Sequence, residues 1–120
     1  MKKKDLKFLQ ELVETPSPSG FEQPVQRRIR EELEGVVDEL KTDLMGNVIA
    51  CIKGSGKDNP RVMLAGHCDE IGFIVQYIDD NGFLYFSPIG GVDPHLVPGQ
   101  RVHIHTDQGP VLGVVGKKPI

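Results

Sequence analysis

His67-Cys68-Asp69-Glu70 follows directly on the apolar run Val62-Met63-Leu64-Ala65-Gly66. A neutral imidazole is a good ligand for zinc or cobalt. A carboxylate two positions away can hold its other ring nitrogen, fix the tautomer and raise the basicity of the free one. Residues 61–66 read as a buried strand ending at His67, and open α/β sheets place their sites beyond the carboxyl ends of strands. Taken alone, the four residues read equally well as a strand-end histidine beside two solvated acids, since His-x-Asp is a common accident.

Other polar groups offer weaker chemistry. His103 and His105 lie two apart, so on a strand they share one face and could chelate a metal; with Val102 and Ile104 inward, plain alternation accounts for them as surface residues. His95, between Pro94 and Leu96, reads as a loop residue packed at an interface. Gly54-Ser55-Gly56-Lys57 lacks the upstream glycine of a phosphate loop and has Asp58 where Ser or Thr is needed, so it reads as a turn. Asp79-Asp80-Asn81-Gly82 is too short for a calcium loop and reads as a hairpin turn. Cys51 and Cys68 have neither knuckle nor redox spacing, and each reads as a small buried apolar side chain.

The elements that position these residues follow from periodicity. Residues 4–14 put Leu6, Leu9, Leu12 and Val13 on one helical face, and the stretch Thr15-Pro16-Ser17-Pro18-Ser19-Gly20 ends that helix. Phe21, Val25, Ile29 and Leu33 recur at intervals of four, predicting a second helix. Pro24 belongs in its first turn, so the helix starts nearer Glu22 than a cap at Ser19 would allow, and Gly35 stops it. Residues 37–42 alternate with period two, Met45-Gly46-Asn47 turns the chain, and residues 48–52 return as the partner strand of a predicted hairpin. Beyond residue 70 there is no helical pattern. Residues 71–78, 83–86, 100–106 and 111–115 are strand-like, separated by turns at 79–82, 88–91, 98–99 and 107–109, a spacing that suits a small barrel or sandwich. Fold character therefore changes near residue 70.

The chain has 120 residues and a formal charge of -3, which suits neither nucleic acid nor an anionic membrane as a partner. Met1-Lys2-Lys3-Lys4 is followed by no apolar run, and no stretch reaches the roughly 18 apolar residues of a spanning helix. A soluble, cytoplasmic protein is expected.

Thr15-Pro16-Ser17-Pro18-Ser19-Gly20-Phe21-Glu22, Asp43-x-x-Gly46-Asn47, Ala65-Gly66-His67-Cys68-Asp69-Glu70-Ile71-Gly72-Phe73, Ile89-Gly90-Gly91 and Leu96-x-Pro98-Gly99-Gln100-Arg101-Val102 occur in this order. Together they resemble the successive signatures of metallopeptidase family 42. That family holds the tetrahedral (TET) and glutamyl aminopeptidases and proteins once labelled cellulase or endoglucanase. The resemblance covers the chain from residue 4 on.

It implies an aminopeptidase that removes N-terminal residues from short peptides, using two divalent ions, zinc or cobalt. His67 matches the family's first metal ligand. Asp69 matches the acid that orients that histidine, and Glu70 receives no catalytic role. The resemblance also implies a fold: an incomplete α/β catalytic domain of zinc-peptidase type over residues 1–70, then over residues 71–120 the first part of an inserted all-β, barrel-like domain. In the family that insert mediates assembly into dimers and twelve-subunit shells. The family's remaining ligands and its general-base glutamate have no counterpart in these residues, so the 120-residue chain alone is expected to be inactive. Two alternatives stand beside this reading. One is a non-catalytic truncated assembly or interaction module. The other, a polysaccharide hydrolase, fits poorly with a chain that lacks tryptophan.

Overall fold

A computed structural model describes residues 2–56 and 60–117 of the chain. It divides into two compact units, Met1–Gly72 and Phe73–Ile120.

In the first unit, helix α1 (Lys3–Glu14) and helix α2 (Gln23–Leu33) precede a hairpin of strands β1 (Glu39–Thr42) and β2 (Val48–Cys51). Pro24 sits in the first turn of α2, where its missing N–H costs nothing, and Glu22 takes the cap position. Gly35, at φ +74°, takes the left-handed conformation that ends the helix. The helices are held together by charge around one arginine. The Arg28 guanidinium pairs with Glu11 of α1 and Glu32 of α2, and its Cζ lies 4.9 Å from the centroid of the Phe8 ring. Val25, only 1% exposed, is the best-buried side chain of this unit. The hairpin is antiparallel with Thr42 opposite Val48 and Glu39 opposite Cys51. Asp43 closes its turn by accepting the N–H groups of Met45 and Asn47.

Two sequence expectations fail here. Residues 61–66 form no strand: Val62, Met63 and Leu64 are 80%, 87% and 93% exposed. An apolar run becomes a buried strand only when other strands lie beside it, and among the described residues none does. Cys51 is exposed at the end of the two-stranded hairpin, and Cys68 is half-buried. Of the 54–57 turn, residues 54–56 lie outside helix and strand, and Lys57 lies outside the described residues.

The second unit is all-β among its described residues. Strand β3 (Gly72–Ile78) pairs with β4 (Leu84–Ile89), and β5 (Arg101–Thr106) with β6 (Gly109–Val114). Asp79-Asp80-Asn81-Gly82 is the expected hairpin turn. Asp79 accepts the N–H groups of Asn81 and Phe83, and Gly82 takes φ +82°. Phe73 and Phe86, with ring centroids 4.7 Å apart, and Tyr77 with Tyr85 pair side chains across β3 and β4. The turn expected at residues 88–91 begins later, because β4 runs through Pro88 to Ile89. A strand with one unpaired side tolerates a proline, whose missing N–H can face that side. β5 and β6 are antiparallel, with Thr106 opposite Gly109 around a two-residue loop. These strands form two separate pairs rather than a closed barrel.

Candidate functional site

The segment after α1 and the segment before β3 are stitched together in the first unit. Pro18 and Glu70 form a parallel bridge. Glu70 N–H donates to the Ser17 carbonyl at 2.9 Å, and Ser19 N–H donates to the Glu70 carbonyl at 3.3 Å. The side chains strengthen this short ladder. The Glu70 carboxylate accepts the Ser17 N–H at 2.9 Å, and the Ser17 hydroxyl, 4% exposed as a residue, donates to the Cys68 carbonyl at 2.8 Å. Gly72 makes the close approach possible, since a Cβ there would lie 2.7 Å from Pro18 Cβ.

On this scaffold His67 Nδ1 lies 3.0 Å from Asp69 Oδ1 and 3.1 Å from the Asp69 carbonyl. Both contacts are acceptors, so Nδ1 is the nitrogen that donates, and in the neutral imidazole Nε2 then carries the lone pair. The other Asp69 oxygen, Oδ2, accepts the Ser19 hydroxyl at 2.6 Å. The Ser19 hydroxyl first, and then His67, hold the Asp69 carboxyl below its ordinary 3.8. It is therefore an anion at neutral pH. Burial, then the negative charges of Glu22 and Asp69, push the Cys68 thiol up, which keeps it protonated and a poor ligand. An open hollow of about 790 Å³ lies beside these residues, lined among others by Val25, Ile29, Asn47, His67, Asp69 and Glu70.

The residues present fit one position of a metal site. His67 has one ring nitrogen held by a carboxylate and its side chain 87% exposed, as a ligand requires. Among the described residues no group of three or more His, Cys, Asp and Glu could hold an ion. A catalytic zinc usually draws three ligands from protein.

The profile of the M42 glutamyl aminopeptidase family matches residues 46–120. The chain belongs to this family. Lysyl aminopeptidase of Pyrococcus furiosus is 40% identical over 116 residues, which are 96% of this chain and 33% of that protein. The crystal structure of a TET aminopeptidase from a marine-sediment archaeon of the Thaumarchaeota superposes with a TM-score of 0.90 at 39% identity. The match takes in 98% of this chain and 33% of the other. The TET1 peptidase of Pyrococcus horikoshii, described as assembling into a tetrahedron or a large octahedral shell, matches with a TM-score of 0.80 at 31% identity. It covers 96% of this chain and 34% of its own. The chain thus spans about a third of the length of these M42 relatives.

The other sequence candidates lie elsewhere. His103 and His105 are exposed on one face of β5, while Val102 and Ile104 are half-buried on the other. His95 is exposed in a turn capped by Asp93, whose carboxylate accepts the His95 N–H. It borders a second hollow of about 410 Å³ with Phe73, Phe86 and Val115. Among the described residues no helix is long and apolar enough to cross a membrane. Sequence reasoning missed Ser17, Ser19 and the Glu70 carboxylate. The Pro-Ser-Pro-Ser segment reads in the sequence as a helix stop, a rejected cap at Ser19 and part of a family signature, none of which points to Cys68 or Asp69 as a partner.

Proposed function

We propose that this chain is the first part of a two-metal aminopeptidase that removes N-terminal residues from short peptides, with His67 a metal ligand and Asp69 the acid that orients it. One observation carries the reading: at the family's His-x-Asp signature, Nδ1 of His67 is held by Asp69 at 3.0 Å, which leaves Nε2 free to bind an ion. Bound there, a divalent ion, zinc or cobalt, supplies Lewis acidity to the first peptide carbonyl and to a water. The chain's own contribution is electrostatic and geometric. His67 offers its lone pair, Asp69 keeps the proton on Nδ1, and the ladder between residues 17–19 and Glu70 fixes both. The remaining ligands and the general base lie in the rest of the protein, so the 120 residues alone are inactive. Residues 1–70 then belong to an α/β peptidase domain, and residues 71–120 begin an inserted β-rich, barrel-like domain. Through this insert the protein self-associates, in line with the assemblies described for the TET1 peptidase.

The complete gene product should cleave chromogenic aminoacyl substrates in the presence of zinc or cobalt. His67→Ala should lower that activity by more than about 100-fold, because changing a residue that only supports a ligand already costs about 10–100-fold. Full activity in the variant would sink the ligand assignment. A second reading, a non-catalytic assembly module, is favoured by the single candidate ligand among the described residues. A complete protein that assembles yet binds no metal would establish it.

A further inference from the structure

We propose that Ser19 is a positioning residue for His67, acting through the carboxylate of Asp69. The inference rests on the reading of His67 as a ligand and concerns what holds that ligand in its binding form.

A carboxylate beside a metal-binding histidine can take either of two roles. It can accept the imidazole N–H, or it can turn an oxygen to the ion and ligate directly. The choice depends on what occupies its second oxygen. Here Oδ1 faces His67 Nδ1 at 3.0 Å, and Oδ2 accepts the Ser19 hydroxyl at 2.6 Å. With both oxygens engaged from different directions, rotation of the carboxylate breaks a charge-assisted hydrogen bond. The carboxylate is therefore kept in the orienting role, and Nδ1 keeps the proton.

Ser19 is itself held independently of Asp69. Its N–H donates to the Glu70 carbonyl, and the neighbouring Pro18 bridges Glu70 in parallel. Its hydroxyl thus reaches Asp69 from a fixed backbone. Ser17, two residues earlier, is different in kind: its hydroxyl is spent on the Cys68 carbonyl and touches neither His67 nor Asp69. The segment carries one serine that joins backbones and one that aims a side chain.

The test uses the complete protein and two substitutions of equal shape, Ser19→Thr and Ser19→Val, which differ in keeping or losing the hydroxyl. Cobalt affinity is measured by titration, and the His67 tautomer of the metal-free protein by nitrogen-15 NMR. Ser19→Thr should bind cobalt within about twofold of the parent, whereas Ser19→Val should bind about 10-fold more weakly, the low end of what loss of a ligand's support costs. Ser19→Val should also shift part of the His67 population toward the Nε2–H tautomer, part only because the Asp69 carbonyl still accepts from Nδ1 at 3.1 Å. Equal affinity in the two variants, or a tautomer signature that Ser19→Val leaves unchanged, overturns the proposal. His67→Ala separates the two levels. If that variant loses cobalt while Ser19→Val keeps it, the relay alone falls. If His67→Ala keeps full cobalt binding, the ligand reading falls and takes the relay with it.

Discussion

Asp43 collects donors at the hairpin turn much as Asp69 does beside His67. Its Oδ1 accepts the N–H groups of Met45 and Asn47, each at 2.9 Å, and its Oδ2 accepts the Asn47 side-chain amide at 2.9 Å. These bonds, the Asn47 side chain foremost, hold the Asp43 carboxyl below its ordinary 3.8. A carboxyl with a lowered folded pKa binds its proton less readily than the unfolded chain does. Stability therefore rises with pH across that interval. The contribution of Asp43 is complete above its unfolded value, about 3.9, and is lost as pH falls through the folded one. Asp43→Asn removes this titration while keeping one acceptor oxygen. Urea denaturation followed from about pH 6 to pH 2.5 should give a shallower acid limb for the variant than for the parent, since the interval that matters lies near pH 4 and below. Parallel limbs would show that the turn carboxylate is not linked to folding. Asp69 follows the same sign, so acid should weaken the anchoring of His67 in the same range.

Elements meet here through backbone, and that explains which parts were legible beforehand. Gly72 opens β3 against Pro18, and its missing Cβ is the space that lets residues 17–19 pair with Glu70. Gly72→Ala would place a methyl group 2.7 Å from Pro18 Cβ, an atom fixed to the main chain and unable to swing aside. The change should cost about 1–3 kcal/mol, as for other overpacked sites. It should also speed hydrogen exchange at the Ser19 amide, whose acceptor is Glu70; unchanged exchange would mean the ladder does not depend on that contact. Val25→Ala offers a comparison outside the ladder, on the wall of the hollow, costing roughly 2 kcal/mol by loss of buried methyl groups without touching the Ser19 amide. The two helices, the first hairpin and most strand positions beyond residue 70 are readable, because Leu12, Val25, Gly35 and Gly82 each act through local periodicity or turn chemistry; the end of β4, which runs through Pro88, is not. Pairing was not readable in this way. Residues 61–66 have the composition of a buried strand, but composition cannot supply a neighbour. The bond from Ser19 to Asp69 spans a sequence separation of 50, and no local pattern announces it. The spacing of His67 and Asp69 makes them a candidate and the ordered motifs around them give them roles; what holds Asp69 is not legible because it is distant in sequence.

Across the whole molecule, large apolar side chains face outward in both units. Leu6, Leu9, Val13, Val62, Met63 and Leu64 are exposed in the first, and Ile74, Tyr77, Phe83, Leu112 and Val114 in the second. Among the described residues each of the three sheets has two strands, so each strand has an unpaired side there. Exposed apolar side chains in this number suit interfaces, and unpaired strand edges invite further pairing. A two-stranded hairpin is also marginal in water unless something packs against it. The M42 relatives are about three times as long as this chain, and chain of that length could cover residues 61–66 and pair the open strand edges. The expectation is that residues 1–120 produced by themselves bind the dye ANS strongly and elute as associated species. The complete gene product, at equal molar concentration, should bind little dye and form assemblies of defined size. A monodisperse, ANS-silent monomer from residues 1–120 would contradict this, because it would require Val62, Met63 and Leu64 to be covered by these residues alone.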